Sequence, residues 1–249
     1  MKEKTNQFPS EEVTLPSKGL LYSKDSPLSK GVIEMKYMTA REEDILTNQN
    51  LIENGTVIDK LLQSLILSPI DYNDLLLGDK NAVLIATRIL GYGAEYKVSV
   101  KGEEHQIDLG KLENKPFDES NLVDGKNEFN FTLPHSKTVL TYKILTGNDE
   151  SAIERELAGL KRLNKNNNPE MTTRLKYMIL AVDGNVDKKT IREFVDNGFL
   201  ARDARAFRNN LKTTSPDVDL SYLLDNGEEV EVAISLGFFW PDLGDSFKN

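Results

Sequence analysis

Apolar positions recur along this chain with two different periods, and the switches between them divide it. The first thirty residues are polar and punctuated by Pro9, Pro16, Gly19 and Pro27, which reads as an extended arm with one short strand around Val13 to Leu15. Val32-Ile33-Glu34-Met35-Lys36-Tyr37-Met38 then reads as a strand running into a helix start. Thr39 and Glu42 form an S/T-x-x-E capping box, in which each residue satisfies a backbone amide of the other. That helix is expected to reach about Glu53, where Asn54-Gly55 stops it. Val57, Ile58, Leu61, Leu62, Leu65 and Ile66 recur at helical spacing up to Pro69. A third helix covers about Lys80 to Leu90 and ends at Gly91-Tyr92-Gly93.

Beyond residue 93 the period shortens to two. Tyr96, Val98 and Val100 alternate with polar residues, and His105, Ile107 and Leu109 return, giving a hairpin over 94–110. Residues 113–127 form a polar loop, and Phe129, Phe131, Leu133 with Leu140, Tyr142, Ile144 give a second hairpin over 128–146. Helical spacing comes back at Ile153, Leu157 and Leu160, then breaks at Asn164 through Pro169. Leu175, Met178, Ile179 and Val182 mark another helix, Asp187 caps one through Ile191 and Val195, and a last spans about Ala201 to Leu211. Val218, Leu220, Tyr222 and Leu224 lead into Asp225-Asn226-Gly227, and Val230, Val232 and Ile234 return in a third hairpin over 217–236. The pattern predicts an α+β fold: an arm (1–30), a helical unit (31–93), and a unit of hairpins with helices between them (94–249).

Composition narrows the function. The formal net charge of −9 argues against nucleic-acid binding, which relies on clustered Lys and Arg displacing counterions. There is no cysteine, so disulfides and thiolate metal sites are excluded. His105 and His135 are the only histidines, and neither has a partner at metal or triad spacing. No phosphate loop, dinucleotide fingerprint, HExxH or GxSxG motif occurs. Gly91-Tyr92-Gly93 follows a helix, whereas a phosphate loop must precede one. Residues 1–7 lead into no apolar run and no stretch approaches about 20 apolar residues, so a soluble intracellular protein is expected, without secretory signal or membrane span. Neither catalysis nor a metal or other cofactor is expected.

Three features suit the binding of other proteins. Arg202, Arg205 and Arg208 line one helical face, either as a solvated surface with local ion pairs or as a docking patch for an acidic partner. Phe238-Phe239-Trp240-Pro241 either folds back on the core or offers a hydrophobic anchor. Leu15-Pro16 through Gly19 to Tyr22 is either clamped on its own domain or adds to a neighbour's sheet edge.

Leu15-Pro16-Ser17-Lys18-Gly19 to Tyr22, Met38-Thr39-Ala40-Arg41-Glu42-Glu43-Asp44, Gly78-Asp79-Lys80-Asn81 with Arg88 and Gly91-Tyr92-Gly93, Ala201-Arg202-Asp203-Ala204-Arg205-Ala206 and Phe238-Phe239-Trp240-Pro241 stand in one order. In these landmarks, across nearly its whole length, the chain resembles the baseplate hub assembly family of T-even-like bacteriophages. The resemblance implies a non-enzymatic assembly factor acting in the host cytoplasm on other baseplate hub and hub-assembly proteins. A permanent structural subunit of the hub is the alternative, and an enzyme of unfamiliar type a more distant one. Many relatives carry Cys-x-x-Cys pairs at two hairpin tips, as in a zinc ribbon. Here the corresponding tips, around Lys101-Gly102-Glu103 and Asp225-Asn226-Gly227, lack cysteine. The comparison implies a metal-less ribbon-like element in which packing of Val98, Val100, Leu220, Tyr222 and Val232 replaces zinc, whose contribution in small peptides is about 10–16 kcal/mol.

Overall fold

The computed structural model describes residues 9–120, 122–123, 125–163 and 169–240. Strand β1 (Ser10–Thr14) pairs antiparallel with β2 (Val32–Lys36), setting Val13 opposite Ile33. The chain between them is a folded loop ending in a 3-10 turn, Pro27–Lys30, with Ser26 as its N-cap and Gly31 in the left-handed region as its C-cap. From residue 9 onward the arm is therefore folded back on the molecule.

Helices α1 (Ala40–Leu46), α2 (Gln49–Glu53), α3 (Val57–Leu65) and α4 (Leu77–Tyr92) follow. The helix expected from Thr39 to Glu53 is two. Asn48 takes extended backbone and its side chain accepts from the Leu51 amide, so α2 starts anew at a local cap. Val57, Leu61, Leu62 and Leu65 form the buried stripe of α3. α4 begins three residues before the expected start because Leu77 donates its amide to the Leu145 carbonyl. Gly78 lets another backbone approach closely, since a Cβ there would lie 1.9 Å from the carbonyl oxygen of Pro216. Asn81 on the next turn donates to Asp217 at 2.9 Å.

Strands β3 (Glu95–Val100) and β4 (Glu103–Asp108) form the first expected hairpin. Lys101 and Gly102 both have positive φ, the pair a two-residue type I′ turn requires. Strands β5 (Phe129–Thr132) and β6 (Val139–Tyr142) form the second, and β6 also pairs with β7 (Ile179–Val182) in a three-stranded antiparallel sheet. Between β6 and β7 run α5 (Gly147–Leu163) and α6 (Glu170–Met178). Ile179 and Val182, expected on a helix, belong to β7: α6 ends at Met178 and the apolar run Ile179–Val182 extends along β6 instead.

Helix α7 (Lys188–Glu193) starts at the expected Asp187 cap and runs into a π-helical turn, Phe194–Gly198. Helix α8 (Ala201–Thr214) and the short strands β8 (Ser221–Leu223) and β9 (Glu229–Glu231) follow. Their turn is a three-residue loop, with Gly227 at φ 82° and Leu224 donating to Glu228 at 2.8 Å, in place of a two-residue Asn-Gly turn. A 3-10 turn, Leu236–Phe239, closes the described chain.

The architecture is α+β, with small antiparallel sheets set among eight α-helices in the described residues. One apolar cluster runs from Leu15 through Met35, Leu61, Leu76, Ile107, Leu140 and Phe207 to Phe238, so arm, helical unit and C-terminal part share a core. Full burial of one such side chain contributes about 1.5–3 kcal/mol. No helix among the described residues is long and apolar enough to cross a membrane.

Candidate interaction surfaces

The N-terminal landmark is spent on its own chain. Leu15, Pro16, Gly19 and Tyr22 are buried, as is Ser17. Their anchor is Asp79 in the first turn of α4. Its carboxylate accepts from the Ser17 amide at 2.9 Å, the Ser17 hydroxyl at 2.6 Å and the Tyr22 hydroxyl at 2.5 Å. The Tyr22 oxygen in turn accepts the Leu76 amide at 2.8 Å, a donor that the helix start leaves free. Burial raises the Asp79 pKa against the lowering effect of its three donors, and burial with the neighbouring carboxylate raises that of Tyr22. The geometry is a clamp of arm on helix, and these four residues offer no surface for a neighbour's sheet edge.

The C-terminal aromatics also face inward. Phe238 and Phe239 are 0% and 1% exposed, with Phe238 5.1 Å from the Tyr96 ring and edge-on to Phe239. Trp240 is half-buried against the same core. Pro241 lies outside the described residues. Phe238 and Phe239 thus work as core residues, folded back by the 3-10 turn, and a partner cannot reach them in this conformation.

Each remaining landmark also contributes a buried charged side chain with an internal task. Glu42 completes the expected capping box and, beyond it, accepts from Lys36 Nζ at 2.7 Å and Ser64 Oγ at 2.6 Å. Burial opposes its charge, but the donors from Lys36, Ser64 and Thr39 outweigh that and bring the carboxyl down to about 2. Arg88 is 3% exposed and donates to the carbonyls of Gly93 and Glu95, with its guanidinium over the rings of Tyr92 and Tyr96. Asp203 is buried on α8 and accepts from the amides of His135 and Ser136 at 2.9 and 3.0 Å. No spacing rule pointed to Asp79 or Arg88, because their partners are distant in sequence or are carbonyls; the signal was only that they stand inside the landmarks.

The arginine face is different. Arg202, Arg205 and Arg208 are all exposed, while Asp203 between them is turned inward to hold the 134–136 turn. Spaced three residues apart, they form a slanting stripe along α8, which Lys212 continues. Among the described residues none of the three is ion-paired with a carboxylate, so the local ion pairs of the solvated reading are not formed. Arg208 Nη1 rests 3.3 Å from the sulfur of Met171, and Met171 and Leu200 are each 53% exposed beside the stripe. Arginine and methionine are both enriched in protein interfaces.

The expected ribbon strands are present as two separate two-stranded sheets, β3–β4 and β8–β9. Their tips meet through an ion pair between Lys101 and Glu228. Val98, Val100, Leu220 and Tyr222 are partly buried against the core, and Val232 is buried. Among the described residues no three His, Asp or Glu side chains are gathered so as to hold a metal ion. His135 is exposed in its turn and His105 half-buried on β4.

Compared with protein-family models, curated proteins and solved structures, the chain matches none.

Proposed function

We propose that this chain is a non-enzymatic assembly factor for the central hub of a contractile-tailed bacteriophage baseplate, acting on hub proteins in the host cytoplasm. The family resemblance of the landmarks motivates the hub. The observation that carries a binding role is the α8 stripe, three exposed arginines that no carboxylate among the described residues pairs, in a chain of net charge −9. An acid at i±3 or i±4 would neutralise such a stripe locally; here the one acid on the helix, Asp203, is committed inward. A complementary acidic surface on a hub subunit would supply the missing charge and steer its own encounter. An assembly factor then works by differential affinity: it holds the subunit in its association-competent state and is displaced when later contacts compete better.

Quantitative mass spectrometry of a tagged copy in infected cells tests this by comparing isolated assembly intermediates with purified virions. Presence in intermediates and absence from virions is the expected result. A fixed ratio in both would make the chain a permanent hub subunit. Absence from both would overturn the reading and reopen the search for an enzymatic role.

A further inference from the structure

A cleft of about 650 Å³ opens between hairpins β3–β4 and β8–β9, and five consecutive residues of β4, Glu104 to Asp108, line it. Side chains along a strand alternate between faces, so five in a row mean that the strand presents its edge to the cleft. The register says what that edge offers. In an antiparallel pair, residues alternate between exchanging and not exchanging backbone bonds across the pair. Val100 and Glu103 close the two-residue turn as a bonded pair, and Leu109 donates to Ala94 at 2.8 Å, which fixes the same parity at the other end. The amides and carbonyls of Glu104, Gln106 and Asp108 are therefore turned away from β3. β4 has no second strand partner among the described residues.

The walls add chemistry. Ile107 and Leu224 are buried at the base and Tyr222 is half-buried beside them. Carboxylates stand around the mouth at Glu95, Glu104, Asp108 and Asp225, against Lys111 as the lining cation and His105. The Lys101–Glu228 ion pair holds the tips of the two hairpins together at one end.

We propose that this cleft receives an extended, lysine- or arginine-rich segment of a partner protein, which adds to the outer edge of β4 as a third strand. Backbone bonds to Glu104 and Gln106 give the segment its direction, the apolar base takes alternate side chains, and the carboxylate mouth takes the cationic ones. A segment matching β4 would be about six residues, or ~20 Å, long. The proposal deepens the protein-binding reading and rests on it, naming a second surface of opposite charge preference to the α8 stripe.

The probes are a capped nine-residue peptide of alternating lysine and valine and its glutamate–valine counterpart, added to the full chain. Calorimetry should show the lysine peptide binding at least tenfold more tightly, with backbone amide exchange slowed at Glu104 and Gln106. Gln106→Pro removes one outward amide without taking a bond from the β3–β4 ladder, a substitution tolerated on strand edges; it should weaken binding at least tenfold. Asp225→Lys, on the exposed turn, should weaken it as well and serves if the proline variant does not fold. No binding, equal binding of both peptides, or binding without amide protection would overturn the strand addition. Hub capture reads the α8 face instead. Capture intact without peptide binding removes only the cleft, and peptide binding with no hub protein captured removes only the hub assignment.

Discussion

Tyr22 and Asp79, 57 residues apart, share one short hydrogen bond inside the core, and through it the arm and α4 hold each other in place. The phenol is at once donor to the carboxylate and acceptor for the Leu76 amide, so its removal orphans a buried donor as well as weakening the carboxylate's support. Tyr22→Phe is expected to cost about 1–3 kcal/mol. Urea unfolding checks it: the midpoint should fall with an unchanged slope.

Gly19 and Gly55 separate two effects of glycine. Both have positive φ, but a Cβ on Gly19 would lie 2.4 Å from the Ser29 carbonyl oxygen, while one on Gly55 would meet nothing within 4 Å. Gly55→Ala should cost about 1 kcal/mol, the backbone term alone. Gly19→Ala adds a backbone collision and should cost clearly more, as paired thermal unfolding of the two variants would read.

Glu42 carries a pH signature. Its carboxyl, brought from 4.5 to about 2 in the folded chain, stabilises the charged form. A depressed folded pKa gives stability that is full above the unfolded value and is lost as pH falls from there through the folded one. The stability gap between the native chain and Glu42→Gln should therefore be widest above pH 5 and shrink between about 4.5 and 2. A gap that stays constant over that range would contradict the assignment.

Arg205→Glu and Phe238→Ala should fail in opposite ways. The charge reversal lies on an exposed face and should leave unfolding within about 0.5 kcal/mol of native while reducing capture of hub proteins. Phe238→Ala opens the core beside Tyr96 and should cost about 3–5 kcal/mol. Any loss of capture by that variant should follow its unfolded fraction, as pull-downs scored against circular dichroism would show.

What the sequence revealed and what it hid divide along the range of the interactions. The Thr39–Glu42 box, the Asp187 cap and the 94–110 and 128–146 hairpins are written within a few residues of each other, and their positions were legible. β7 was not: what makes Ile179–Val182 a strand is the edge of β6, some forty residues earlier. The aromatics at Phe238 and Phe239 looked available because their cover, Tyr96 among it, comes from the other half of the chain. On α8 the arginines were legible as a stripe, but its uncompensated charge was not, since that depends on where the Asp203 side chain turns.

The close seat of Pro216 on Gly78 has a consequence for the order in which the molecule can be made. A ribosome releases the arm, α1 to α4 and the first hairpin long before residue 216 emerges. Until then the start of α4 lacks the backbone that covers it, Asn81 lacks Asp217, and Tyr96 lacks Phe238. N-terminal pieces of many proteins fold as they are translated, but here the seat of the α4 start is completed only by residues 216 and 217. A nascent chain stalled before residue 216 should be more open to protease at α4 than one extended past residue 240, because only the longer chain carries the backbone that covers the helix start.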